Sequence, residues 1–157
     1  MTPQEFENLL DFLDEMPKFV RSVTASLTGD ELRRKPSQAE FSFLEHVCHL
    51  RDIEQEGYRG RIDKLLTETE PFLPDIEGDK LARERNYNSQ DFDEALAGFV
   101  HARRKNIRII KTLSSDEMNR SGTFQNIGVI TLEQLLMMMR EHDEAHRQEL
   151  VGLLKRQ

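Results

Sequence analysis

The chain is short of several things, and each shortage excludes something. One cysteine, Cys48, stands among 157 residues, so no internal disulfide can form and a reducing cytoplasm is the expected home. No apolar run approaches the roughly 20 residues that a helix needs to span a bilayer. The acidic N-terminal stretch lacks the charged-then-apolar signature of an export signal. Basic residues are in deficit: 22 Lys and Arg against 29 Asp and Glu leave a net charge of −7. That balance provides no basic stripe for nonspecific nucleic-acid binding and disfavours an anionic membrane surface. Internal repeats, low-complexity tracts, a Ser-centred nucleophile elbow, a phosphate loop and a dinucleotide fingerprint are all missing.

What is present suits one helical domain over residues 1–157, with 37% hydrophobic and 32% charged residues and enough length to bury a real core. The most informative stretch is Leu132 to Leu154. Thr131 and Gln134 have capping-box spacing, and Leu132, Leu135, Leu136, Met139, Leu150, Leu153 and Leu154 recur at helical period. Inside it, His142 and His146 are four residues apart and therefore lie one above the other. Steps of about 100° per residue put His146 in the apolar stripe and His142 at its edge. Two neutral imidazoles facing other helices are either satisfied core residues or ligands of a divalent ion.

Three further helices are expected. Helix one begins at Thr2, where Thr2 and Glu5 form a capping box and Pro3 takes the first turn. Its apolar face is Phe6, Leu9, Leu10, Leu13, Val20, Val23 and Leu27; Pro17 should kink it, and Gly29 should end it. Asp30 to Glu40 is a connector. Helix two runs from Ser42 to about Leu66 and is apolar on two nearly opposite faces, the mark of a central helix. Glu68 to Ser89, broken by Pro71, Pro74 and Gly78, is a long loop, either a binding loop or an inert strap. Helix three spans about Gln90 to Leu113, with Arg103 in its stripe as an ion pair in preference to an anion reader, and His101 at the surface. Ser114 to Ile130 is polar, with an extended stretch near Phe124 to Ile130.

Four helices with long loops after the second and third make an all-α four-helix bundle, and bundles build metal sites from facing helices. The third ligand then comes from helix two, where His46 and His49 share a face. Three protein ligands with an open position describe a catalytic centre in preference to a sealed structural one. Glu45 and Asp52 flank His49 and are candidates to orient its far nitrogen, against solvated surface charge. No Glu-x-x-His pair occurs, which argues against a di-iron centre. Cys48 reads as a small buried hydrophobe, and Asp143 and Glu144 as helix-surface charge in preference to a general base.

The segment Phe41-Ser42-Phe43-Leu44-Glu45-His46-Val47-Cys48-His49-Leu50-Arg51-Asp52-Ile53-Glu54, followed far downstream by His142-Asp143-Glu144-Ala145-His146, resembles the DinB-like family of metal-binding four-helix bundles. The resemblance extends over nearly the whole chain, including the long loop after helix two and the Gly-x-x-Thr-Leu lead into helix four, Gly128 to Leu132. It implies that His49, His142 and His146 bind one divalent ion, zinc or nickel in preference to manganese or iron, and that the additional His46 does not. It also implies a metal-dependent transferase or hydrolase acting on a small-molecule substrate. A low-molecular-weight thiol such as bacillithiol or mycothiol is one candidate. The alternative is a non-catalytic metal-binding or stress-response module. A homodimer is a further expectation, from the family and from the mixed faces of helices one and two.

Overall fold

Ser/Thr-x-x-Glu/Gln boxes set where most helices begin. In the computed structural model, which describes residues 1–157, they open α1 (Pro3–Thr24), α2 (Gly29–Arg33), α3 (Phe43–Asp52), α7 (Ser115–Met118) and α8 (Leu132–Lys155). In each, the cap hydroxyl accepts from the third helical N–H while the Glu or Gln side chain accepts from the cap's own N–H. Asp91 caps α6 (Phe92–Ile110). A π-helical segment, Ile53–Tyr58, joins α3 to α4 (Arg59–Thr67) as one continuous rod.

The rods α1, α3–α4, α6 and α8 form the four-helix bundle. Around it, α1 packs against α6 and α8, and α3 packs against the same two. Between the rods, β1 (Phe72–Leu73) pairs in parallel with β2 (Ser121–Phe124), which pairs antiparallel with β3 (Gly128–Thr131). No helix is long and apolar enough to cross a membrane.

Several expectations need correction. Gly29 does not end helix one: α1 stops at Thr24, and Thr28 with Glu31 caps a new short helix inside the expected connector. Pro17 does not end α1 either. A proline leaves the carbonyl four residues back without its donor, and that carbonyl, Leu13 O, accepts from Arg103 Nη1 at 2.7 Å instead. The stretch from Glu68 to Ser89 is not structureless. It contains β1, the helix α5 (Gly78–Glu84) and a 3-10 turn at Tyr87–Ser89. Polar ties hold it down: Arg61 donates to Pro74 O, Arg85 to Asp52 and Glu56, and Tyr87 Oη to Asp52 at 2.6 Å.

The apolar core is in two blocks. One gathers Leu9, Leu13, Ile62, Leu65, Ile110, Leu135 and Met139 among others. The second gathers Met16, Val20, Phe43, Val47, Cys48, Phe99, Leu150 and Leu153 among others. Along α3, α6 and α8 the chemistry-bearing residues sit between the two blocks. The bundle thus carries a polar layer at mid-height, and the candidate site lies in it.

Candidate metal centre

Two turns of helix supply the donors. His46 and His49 come from α3, one turn before the π-helical segment, and His142 and His146 from α8. The Nε2 atom of His142 lies 3.1 Å from that of His49 and 3.2 Å from that of His146. Ligand nitrogens about 2.1 Å from a common ion lie roughly 3.0–3.4 Å apart, so the three rings stand at ligand spacing. Three facing imidazole nitrogens cannot all be satisfied by sharing protons, because each contact accommodates one N–H. A cation accepts all three lone pairs together. Burial lowers the His46 and His49 pKa values to about 4 and that of His142 to about 3, and lowers His146 as well, with neighbouring imidazoles adding to the effect at His46, His142 and His146. All four rings are therefore neutral near pH 7, the state in which an imidazole is a ligand. The donor set fits a divalent ion.

The expected histidines are thus brought together, and His46 stands behind them. Its Nδ1 lies 2.9 Å from Nδ1 of His146, and it is 2% exposed. Phe41 packs against both rings on α3, with centroids 5.5 Å from His46 and 5.7 Å from His49. His49 Nδ1 is buried with no hydrogen-bond partner. Gly78, the first residue of α5, lies over that edge of the ring, and a Cβ there would sit 2.8 Å from His49 Cε1 and 3.0 Å from Nδ1.

Neither Glu45 nor Asp52 orients His49, and neither is solvated surface charge. Glu45 accepts from the Ser42 backbone N–H and from Lys35 Nζ, so the helix cap uses it. Asp52 accepts from Arg51, Arg85 and Tyr87, so it holds the strap. Asp143 is not helix-surface charge either, being 1% exposed. Arg103 donates to both of its oxygens at 2.7 and 3.0 Å and to both oxygens of Glu54 at 2.9 and 3.0 Å. Burial works against the Arg103 charge, but the two carboxylates outweigh it and raise its pKa. Asn106 Nδ2 completes the group by donating to the Glu54 side chain and carbonyl. Arg103 is an ion pair, as expected, and does not read a ligand.

A cavity of about 620 Å³ opens beside the rings. His46, His49 and His146 line it, with Phe41, Gly78, Asp79 and Glu149 on its walls. Sequence reasoning missed Glu149, although it stands one turn beyond His146, and it missed Gly78, for which a glycine in a loop gave no signal. The strap contributes Gly78 and Asp79, so it shapes the cavity while remaining tied down.

The family model of the DinB superfamily matches residues 12–150. Among solved structures the chain is similar to YfiT from Bacillus subtilis, described as a probable metal-dependent hydrolase with an unusual four-helix bundle topology. The TM-score is 0.90 and the identity 19%, over 99% of this chain and 89% of that one. At that identity the likeness shows the fold. No curated protein matches the chain in sequence.

Proposed function

The chain belongs to the DinB superfamily, and from that premise we propose that it is a divalent-metal-dependent enzyme, hydrolase-like or thiol S-transferase-like, with His49, His142 and His146 as ligands. One observation carries the proposal: three imidazole Nε2 atoms converge at 3.1 and 3.2 Å contacts beside an open cavity. A structural site would be closed by a fourth protein ligand and sealed by packing. The description of the similar Bacillus subtilis structure supports the same direction. An all-imidazole donor set suits zinc or nickel better than manganese, which prefers oxygen.

When bound, such an ion supplies Lewis-acid chemistry, polarising a substrate oxygen or lowering the pKa of a water or thiol at its open position. The chain's own residues hold and aim. His49 and His146 stand on the cavity wall, so a substrate entering there meets the donor cluster from one side. Asp143 is unavailable as a base, because Arg103 occupies both of its oxygens. The walls carry the carboxylates of Glu40, Asp79 and Glu149 against one guanidinium, Arg156, which is itself paired with Glu40 at 2.8 Å. A neutral or cationic substrate therefore meets less repulsion than an anionic one. This ranks hydrolysis of a neutral substrate ahead of transfer from a thiol that carries carboxylates.

The test is metal content per chain after dialysis against a weak chelator. The wild type is expected to keep one equivalent of zinc or nickel, and His49→Ala, His142→Ala and His146→Ala to lose it. His46→Ala should still take up one equivalent when metal is supplied in excess. Retention by all three ligand variants would reject the site. Zinc- or nickel-loaded protein inert towards neutral esters, amides and thiol–electrophile pairs would leave the metal-binding module as the better account.

A further inference from the structure

His146 is contacted at both ring nitrogens. Its Nε2 faces His142 at 3.2 Å, and its Nδ1 lies 2.9 Å from Nδ1 of His46. The other nitrogen of His46, Nε2, faces Glu149 Oε2 at 3.5 Å. Glu149 stands one turn past His146 on α8 and lines the cavity. His46 is buried against the edge of Phe41, so it has little freedom to turn away.

A 2.9 Å contact between two imidazole nitrogens contains one proton. Two facing lone pairs repel and two facing N–H groups collide, so one ring donates and the other accepts. The far ends decide the direction. If His46 donates, its Nε2 lone pair is left against the Glu149 carboxylate, and the proton of His146 sits on Nε2, among the nitrogens of His49 and His142. If His146 donates, both ends are satisfied. Its Nε2 lone pair joins the cluster, and His46 carries its own proton on Nε2, facing Glu149.

We propose that His46 and Glu149 form a positioning relay for His146, with His46 as the acceptor that fixes the tautomer and plane of that ring. The proposal rests on the three-histidine metal site. Histidine ligands usually give their second N–H to a carboxylate, a carbonyl or water, and losing that partner typically weakens metal binding about 10–100-fold. Here a neutral imidazole backed by a carboxylate takes that place. The relay belongs to one ligand alone: Nδ1 of His49 has no such partner. The competing account is a second ion, since donors from His46, His146 and Glu149 also lie within 4.8 Å of one another. A second ion would need His146 to give up its last proton, whereas the hydrogen bond needs none removed.

Cobalt(II) and zinc(II) titrated into metal-free wild type, His46→Asn and His46→Leu test this, together with nitrogen-15 NMR of the imidazoles in the zinc-loaded wild type. Asparagine keeps an acceptor near the position of Nδ1, and leucine keeps only bulk. The expected results are one equivalent bound, affinity about 10–100-fold weaker in His46→Leu with an altered cobalt visible spectrum, and substantial recovery in His46→Asn. The NMR spectrum should place the His146 proton on Nδ1 and the His46 proton on Nε2. Affinity in folded His46→Leu within about twofold of wild type, a proton on Nδ1 of His46, or two equivalents of metal would overturn the relay. If His46→Leu does not fold, the wild-type proton positions decide. Wild type that binds neither ion fails the metal site and the relay together, whereas tight wild-type binding with unaltered His46 variants fails the relay alone.

Discussion

A guanidinium that is 2% exposed persists in a protein interior only when nearly all of its donors are used. Arg103 meets that condition through Glu54, Asp143 and the Leu13 carbonyl, the last of which is free because Pro17 lacks an N–H. Removing the cation leaves two buried carboxylates facing each other. Arg103→Met is therefore expected to lower unfolding free energy by about 3–5 kcal/mol, read from urea midpoints. Arg103→Lys should recover little, since an ammonium has no planar fork to span both carboxylates. His101→Ala, on the exposed side of the same helix, should stay within about 0.5 kcal/mol of wild type. An Arg103→Met chain as stable as wild type would sink this account. That Arg103 needed a partner was legible in the sequence, from one cation in an apolar stripe. Its partners were not. Asp143 lies among Glu141, Glu144 and other charges and looks like part of a solvated run, and only the rotation of α8 turns it inward.

At the scale of elements, the π-helical segment at Ile53–Tyr58 explains why helix two seemed apolar on two sides. Its i to i+5 bonding, seen where Arg59 N–H donates to Glu54 O, inserts an extra residue and turns the downstream face out of register with the upstream one. A fixed step of 100° cannot follow such an insertion. Helix ends with capping boxes were legible, because two reciprocal hydrogen bonds fix the spacing. The strap after α4 was not, since its order comes from distant partners such as Asp52 and Arg61. The strap bears on the site through Gly78. A methyl there would meet His49 Cε1 at 2.8 Å, and His49 is held by Phe41 on another side, so the ring must shift. Gly78→Ala is expected to weaken zinc binding about tenfold or more, on the scale seen when support of a ligand is lost. Gly60→Ala is the contrast, as a Cβ at Gly60 meets nothing within 4 Å. It should leave zinc binding unchanged and stabilise the helix by about 0.5–1 kcal/mol. Equal zinc affinity in the two variants, measured by competition with a chelating dye, would show that the strap does not support the ring.

Across the whole molecule, two apolar blocks enclose a layer of ion pairs and imidazoles. That arrangement was half visible: the donors were legible as histidines at helical spacing, while their convergence from α3 and α8 depends on how the rods pack. The layer joins the two blocks, so its satisfaction should count in global stability. Without an ion, three imidazole lone pairs face one another at 3.1 and 3.2 Å contacts, and the folded chain keeps them neutral and buried. An ion that binds this arrangement and not the unfolded chain stabilises the fold by mass action, by about 2.7 kcal/mol at a free concentration one hundred times the dissociation constant. For a chain of this size each kcal/mol moves the melting temperature by about 2–4 °C. Adding zinc to chelator-stripped protein should therefore raise the melting temperature by roughly 5–10 °C under those conditions. The rise should grow with the logarithm of zinc concentration and should be absent in His142→Ala, whose ring stands between the other two. Calorimetric scans of both proteins at several zinc concentrations measure it. A shift of equal size in His142→Ala would place the bound ion elsewhere on the molecule, and no shift in either would mean that the converged imidazoles hold no ion in the folded state.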